Sequence, residues 1–153
     1  MKDIRWKVKM KKSVFLALAM ATALYCAPCG AEDGTMKIRI KVGEKVTTAT
    51  LIDSKTARDF ASLLPLNLTL KDYAGTEKVS DLPRRLSTEG APSGSDPSVG
   101  DITYYAPWGN LAIFYRDFGY ASGLVILGKI EGGIEAFQVP GSVKVTIELI
   151  KGK

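Results

Sequence analysis

Histidine is absent from this chain. Its absence removes imidazole general bases, histidine-dependent triads and the commonest transition-metal ligand. Cysteine is scarce, with only Cys26 and Cys29. From Glu32 onward there is therefore no disulfide and no thiolate nucleophile. No long hydrophobic run is present either. Val14 to Tyr25 is apolar almost throughout, but a spanning helix needs about 20 such residues. The last thing missing is a basic body. The net charge of +5 is carried by Lys2, Arg5, Lys7, Lys9, Lys11 and Lys12 against Asp3, and everything after residue 31 is balanced. A neutral body offers nothing to hold a phosphate backbone, which excludes a nucleic-acid partner. Asp53, Asp59 and Asp72 are too scattered for paired acid–base work and show no calcium-loop spacing. No metal site and no cofactor is expected.

The charged start, the short apolar core and the following Ala27, Pro28 and Gly30 have the layout of a secretory signal. Cys29-Gly30-Ala31 is the best small-residue cleavage pattern, with the cut before Glu32. Met10 is an alternative start that keeps a charged end. Residues 1–31 are thus expected to be a cleaved signal, leaving an extracytoplasmic (periplasmic or secreted) protein with no stable membrane anchor. Cys26-Ala27-Pro28-Cys29 has the spacing of a redox pair. Its position in a signal tail argues for coincidence.

From Met36 the dominant period is two. Ile38, Ile40 and Val42 alternate with Lys37, Arg39 and Lys41, and Gly43-Glu44 supplies a hairpin turn into a strand from Lys45 to Ile52. Further strands are expected at Leu66–Leu70, Ile102–Ala106, Leu111–Tyr115, Leu124–Ile130 and Val143–Leu149. One segment differs. Ala57, Phe60, Ala61 and Leu64 form the stripe of a short helix, capped by Ser54 or by a Thr56–Asp59 capping box and stopped by Pro65. Residues 90–100 (GAPSGSDPSVG) read as a surface loop. The pattern predicts a mainly β fold over residues 36–150: a closed barrel of about eight strands with one or two short capping helices.

Leu124 to Ala136 (LVILGKIEGGIEA) resembles the late strand and turn of cyclophilins, and Gly109 to Phe114 (GNLAIF) resembles their N-G-S-Q-F-F strand. Thr56 to Pro65 and Gly100 to Pro107 resemble a smaller group, the bacterial cyclophilin-like domains, which begin at a strand like Met36-Lys37-Ile38. That resemblance implies an eight-stranded barrel capped by helices. True cyclophilins are prolyl isomerases. They stabilise a twisted amide in an apolar pocket while an arginine hydrogen-bonds the proline nitrogen. This chain lacks the F-H-R triplet that carries the arginine and the Q-G-G-D motif. Aligned on Gly128-Lys129-Ile130, it has Leu124 where the family has its pocket histidine and Ala112 near the family's glutamine; Phe114 carries across. The resemblance therefore implies a binding module for a peptide segment or small apolar ligand, the alternative being a divergent peptidyl-prolyl isomerase.

Aromatics concentrate where a cleft would need them. Tyr104, Tyr105, Trp108, Phe114, Tyr115, Phe118 and Tyr120 fall within 17 positions. Tyr104, Ile113 and Phe114 are read as inward-pointing barrel packing. Trp108 sits in the turn Pro107-Trp108-Gly109-Asn110 and either folds over the barrel mouth or lines a groove with Tyr105 and Phe114. Arg84 and Arg85 either point into the barrel mouth to serve an anion, a peptide carbonyl or an amide nitrogen, or are solvated. The candidate cleft residues are Arg84, Arg85, Tyr105, Trp108, Asn110, Phe114 and Tyr120.

Overall fold

The structure is a computed structural model that describes residues 35–151. The expected signal, its cleavage site and the Cys26–Cys29 pair lie outside the described residues. Eight strands close into an antiparallel barrel. In chain order they are β1 (Met36–Val42), β2 (Lys45–Leu51), β3 (Leu66–Tyr73), β4 (Glu77–Asp81), β6 (Asp101–Tyr105), β7 (Asn110–Phe114), β9 (Leu124–Ile130) and β10 (Val143–Leu149). Around the barrel they run β1-β10-β3-β4-β7-β6-β9-β2. Two further strands, β5 (Gly94–Ser95) and β8 (Ala121–Ser122), pair outside it. The expected closed barrel is present, with one α-helix and one 3-10 turn.

Alternation builds the core. Ile38, Ile40, Ala49, Leu51, Leu70, Ile102, Leu111, Ile113, Leu127 and Ile147 are fully buried inside the barrel, while the lysines and arginine of β1 face solvent. The β1–β2 hairpin turns through Gly43, whose φ of 58° needs a residue without a Cβ. At Gly128 the need is proximity. A Cβ there would collide with the Thr50 carbonyl oxygen and lie 2.8 Å from Leu51 Cα, so β9 can reach β2 only as glycine.

Helix α1 (Lys55–Ala61) follows β2 and drives Ala57 and Phe60 into the core. Its N-cap is Ser54, whose hydroxyl accepts from the Ala57 amide at 3.1 Å. The Thr56–Asp59 capping box does not form: Thr56 is buried inside the first turn, and Asp59 faces Arg84. A 3-10 turn, Ile134–Phe137, buries Ala136 and Phe137 and sits beside the other end of β2, where the Thr47 hydroxyl donates to the Gly132 carbonyl.

Two segments depart from expectation. Strand β4 reads Glu-Lys-Val-Ser-Asp, with no apolar alternation to reveal it. It forms because both neighbours present open edges: β4 pairs with β3 through Lys71–Val79 and with β7 through Val79–Ala112. The 90–100 stretch, expected as a plain surface loop, is stitched to the chain after β7. Gly94 and Ser95 pair with Ser122 and Ala121, the Gly123 amide donates to the Ser93 carbonyl at 2.7 Å, and the Phe118 amide donates to the Pro97 carbonyl at 3.0 Å. This stitching holds the 116–122 segment against the barrel wall.

Candidate functional site

The inner and outer faces of β7 differ sharply. Leu111 and Ile113 point into the barrel; Ala112 and Phe114 point out and pack with Leu124 of β9 as a separate apolar cluster. The inward reading of Phe114 is therefore corrected. Ile113 and Phe114 are adjacent on one strand and must face opposite sides. Tyr104 does point inward, where its hydroxyl accepts from the Leu86 amide at 3.1 Å.

Because the outer face of a barrel is ordinarily wet, an apolar cluster there needs a cover. Register supplies it. Glu77 lies opposite Tyr73 on β3 and Phe114 on β7, and Tyr105 lies opposite Asn110 on β7 and Leu124 on β9. These side chains share one face. The 106–109 turn brings Trp108 over them, and the segment held by β5 and β8 brings Phe118 to within 6.3 Å of Phe114, ring centre to ring centre. The result is a cavity of about 210 Å³ floored by Ala112, Phe114 and Leu124 and walled by Tyr73, Tyr105, Trp108 and Phe118, with Val79, Ala121, Asn110 and Glu77 completing it. Tyr73 and Tyr105 both meet Trp108 edge to face, at 5.7 and 5.3 Å and an interplanar angle of 82°. The indole is 57% exposed, so the ring forms a wall of the groove.

The polar groups in the groove are few. Asn110 is almost wholly buried, and its Oδ1 has no hydrogen-bond partner among the described residues. Glu77 is half-buried, and its carboxyl is pushed up to about 7, first by burial and then by the charge of Asp72. One residue along, Lys78 is fully buried on the inner side of the same strand. Its ammonium donates to the carbonyls of Val139 at 2.6 Å and Gly141 at 2.7 Å and pairs with Asp72 at 3.0 Å. Asp72 also accepts from the Tyr115 hydroxyl at 2.7 Å. That bond and Lys78 hold the Asp72 carboxyl below its usual range, while burial and Asp72 push the Tyr115 phenol up to about 12.

Of the candidate cleft residues, Tyr105, Trp108, Asn110 and Phe114 line the groove; Arg84, Arg85 and Tyr120 do not. Arg84 reaches back to α1 and clasps Asp59 at 2.7 and 3.0 Å, which with the Ser87 amide takes that carboxyl down to about 2. Arg85 lies under the 106–109 turn and donates to the Ala106 carbonyl at 2.7 Å, bracing the loop that carries Trp108. Tyr120 packs on Gly94 and meets the Ser93 hydroxyl at 3.1 Å. Glu77 had no signal in the sequence, since β4 has no apolar pattern, and Tyr73 lies beyond the Leu66–Leu70 alternation that marks β3. Ala112 and Leu124 were visible only as positions matched to a known pocket. Among the described residues, no group of carboxylates or thiols is placed to hold a metal.

The family model described as "Cyclophilin-like family" matches residues 40–148. Among solved structures, the solution structure of a hypothetical protein from Archaeoglobus fulgidus is similar, with a TM-score of 0.54 and 22% identity, covering 74% of this chain and 94% of that one. At that identity the likeness is one of fold. No curated protein matches the chain.

Proposed function

The chain belongs to the cyclophilin-like family, and we propose that it is an exported, non-catalytic binding module whose outer-face groove takes one small, largely apolar group. That group is a single side chain of a peptide segment or a compact free ligand. The observation that carries this reading is the groove itself: a cavity of about 210 Å³ with an apolar floor, an exposed indole and three further aromatic walls. Drug-sized ligands usually need cavities of about 300–1,000 Å³, so the occupant is smaller than that. An isomerase would need a guanidinium aimed at the proline nitrogen. Arg84 and Arg85 are committed to Asp59 and to the 106–109 turn, and neither lines the groove.

The test pairs two measurements on the full chain. Calorimetric titration with N-acetylphenylalanine amide should show saturable binding that Trp108→Ala weakens at least tenfold. A protease-coupled assay on a proline peptide should show no acceleration of the slow X-Pro step. Acceleration abolished by Arg84→Ala or Arg85→Ala would establish the isomerase instead. Export is checked by the intact mass of the native protein, which should begin at or near Glu32.

A further inference from the structure

The walls and the polar groups of the groove are complementary to one kind of chemistry. Tyr73 and Tyr105 stand at nearly right angles to Trp108, at 5.7 and 5.3 Å, giving two corners of a box with aromatic faces. Ring faces are electron-rich and attract a cation whose own surface is apolar. Glu77 is the one charged residue of the lining, and among the described residues no lysine or arginine lies within ion-pair reach of it. Asn110, also in the lining, has an amide oxygen that is buried and unpartnered. A buried acceptor without a donor is costly and rare in folded proteins. The lining thus offers an unpaired carboxyl and aromatic faces, and it contains no cation of its own.

We infer that the groove is a receptor for a small alkylated ammonium ion, held against Tyr73, Tyr105 and Trp108 with the Glu77 carboxylate as its counter-ion. This rests on the groove being the ligand site and adds the charge of the ligand. The cavity, about 210 Å³, suits a compact head such as a trimethylammonium. A neutral group of that shape would fill the floor equally well, but would leave Glu77 half-buried and unpaired.

Binding is coupled to a proton. The free protein's Glu77 titrates at about 7, and only the carboxylate pairs with an ammonium. The other titratable groups of the lining are the phenols of Tyr73 and Tyr105, and the groups next to it on the inner side keep one protonation state across neutrality. Asp72 on β3 is held below its usual range, and Tyr115 at the end of β7 is pushed up to about 12. Lys78 points away from the groove to Asp72. Affinity for the cation should therefore fall as pH drops from 8 to 6, because binding at the lower pH must release the proton that Glu77 holds.

Choline and 3,3-dimethyl-1-butanol, its neutral isostere, separate charge from shape. Titrated into the full chain at pH 8, choline should bind about tenfold more tightly than the alcohol. That advantage should shrink severalfold at pH 6, and again in Glu77→Gln at pH 8, a substitution that keeps the size and loses the charge. Equal binding of the two probes, or choline binding indifferent to both pH and Glu77→Gln, overturns the inference and leaves the groove as a neutral apolar site. Binding of neither probe also overturns it. The broader reading survives that outcome if N-acetylphenylalanine amide still binds and Trp108→Ala removes the binding; if that ligand fails too, both readings fall.

Discussion

Two neighbouring residues of β4 carry opposite charges into opposite surroundings. Lys78 goes into the barrel, is fully buried, and finds two backbone carbonyls and Asp72. Glu77 goes out into the groove, is only half-buried, and finds no partner among the described residues. A buried charge with every proton engaged is structural: it ties the 139–141 segment to the barrel wall and leaves nothing over for a ligand. A half-buried charge facing aromatic rings with nothing to pair has its interaction still to make. Depth of burial alone would have ranked the two the other way round. The number of partners left unmade, and not the depth of burial, separates the charge that is committed from the charge that is open.

The comparison breaks most visibly at Lys78. Lys78→Met keeps the bulk but strips Val139, Gly141 and Asp72 of their donor, and should cost about 3 kcal/mol, the low end for a broken buried pair because Asp72 retains Tyr115. Denaturant or thermal unfolding should register this as a fall in Tm of about 10 °C. Trp108→Ala should cost only about 1 kcal/mol, the worth of its two edge-to-face contacts on a ring that is 57% exposed. Its binding loss should be large by comparison. A stability loss of several kcal/mol with unchanged binding would make the indole a core residue.

Glu77→Gln sharpens the contrast with a change of the opposite sign. Its folded pKa, about 7, lies above the value of 4.5 for a free glutamate. Between those values the folded protein holds a proton that the unfolded chain has released, so wild-type stability falls as pH rises through that window. Gln removes the penalty. Thermal scans should show the variant melting a few degrees above wild type at pH 8 and level with it at pH 4. The smallest effect is expected at Arg84→Ala, which breaks a partly exposed, solvent-screened pair to Asp59 and should leave Tm almost unchanged. Calorimetry on the same variant should find groove binding unchanged, since Arg84 is outside the lining.

How much of this was legible in the sequence differs from element to element. β1, β3 and β10 announced themselves through alternation, because one face of each strand is more buried than the other. β6, β7 and β9 were visible instead as apolar segments buried on both faces. Helix α1 was visible through its stripe, though its cap was settled only by where the chain enters: Ser54 is extended and Thr56 is already inside the turn. β4 was not legible. Its buried residue is a lysine and its groove residues are Glu77 and Val79, so no apolar face shows in the sequence and its strand state comes from the open edges of β3 and β7. The crowding of aromatics between 104 and 120 was plain, but their sorting was not. Tyr104 goes to the core, Tyr115 to Asp72, Tyr120 to Ser93, and Tyr105, Trp108, Phe114 and Phe118 to the groove.

The sequence by itself determined that the chain closes a β-barrel, that it holds no histidine, and that its charges balance after residue 31. Those conclusions depend on composition and on period, which are properties of the chain read locally. Only the tertiary structure decided that Arg84 clasps Asp59 and Arg85 braces the 106–109 turn, that Phe114 faces outward, and that Glu77 shares a groove with Tyr73, Tyr105 and Trp108. A site is a set of distances between residues far apart in the chain, and those distances exist only once β3, β4, β7, β6 and β9 lie side by side and the segments between them are tied down.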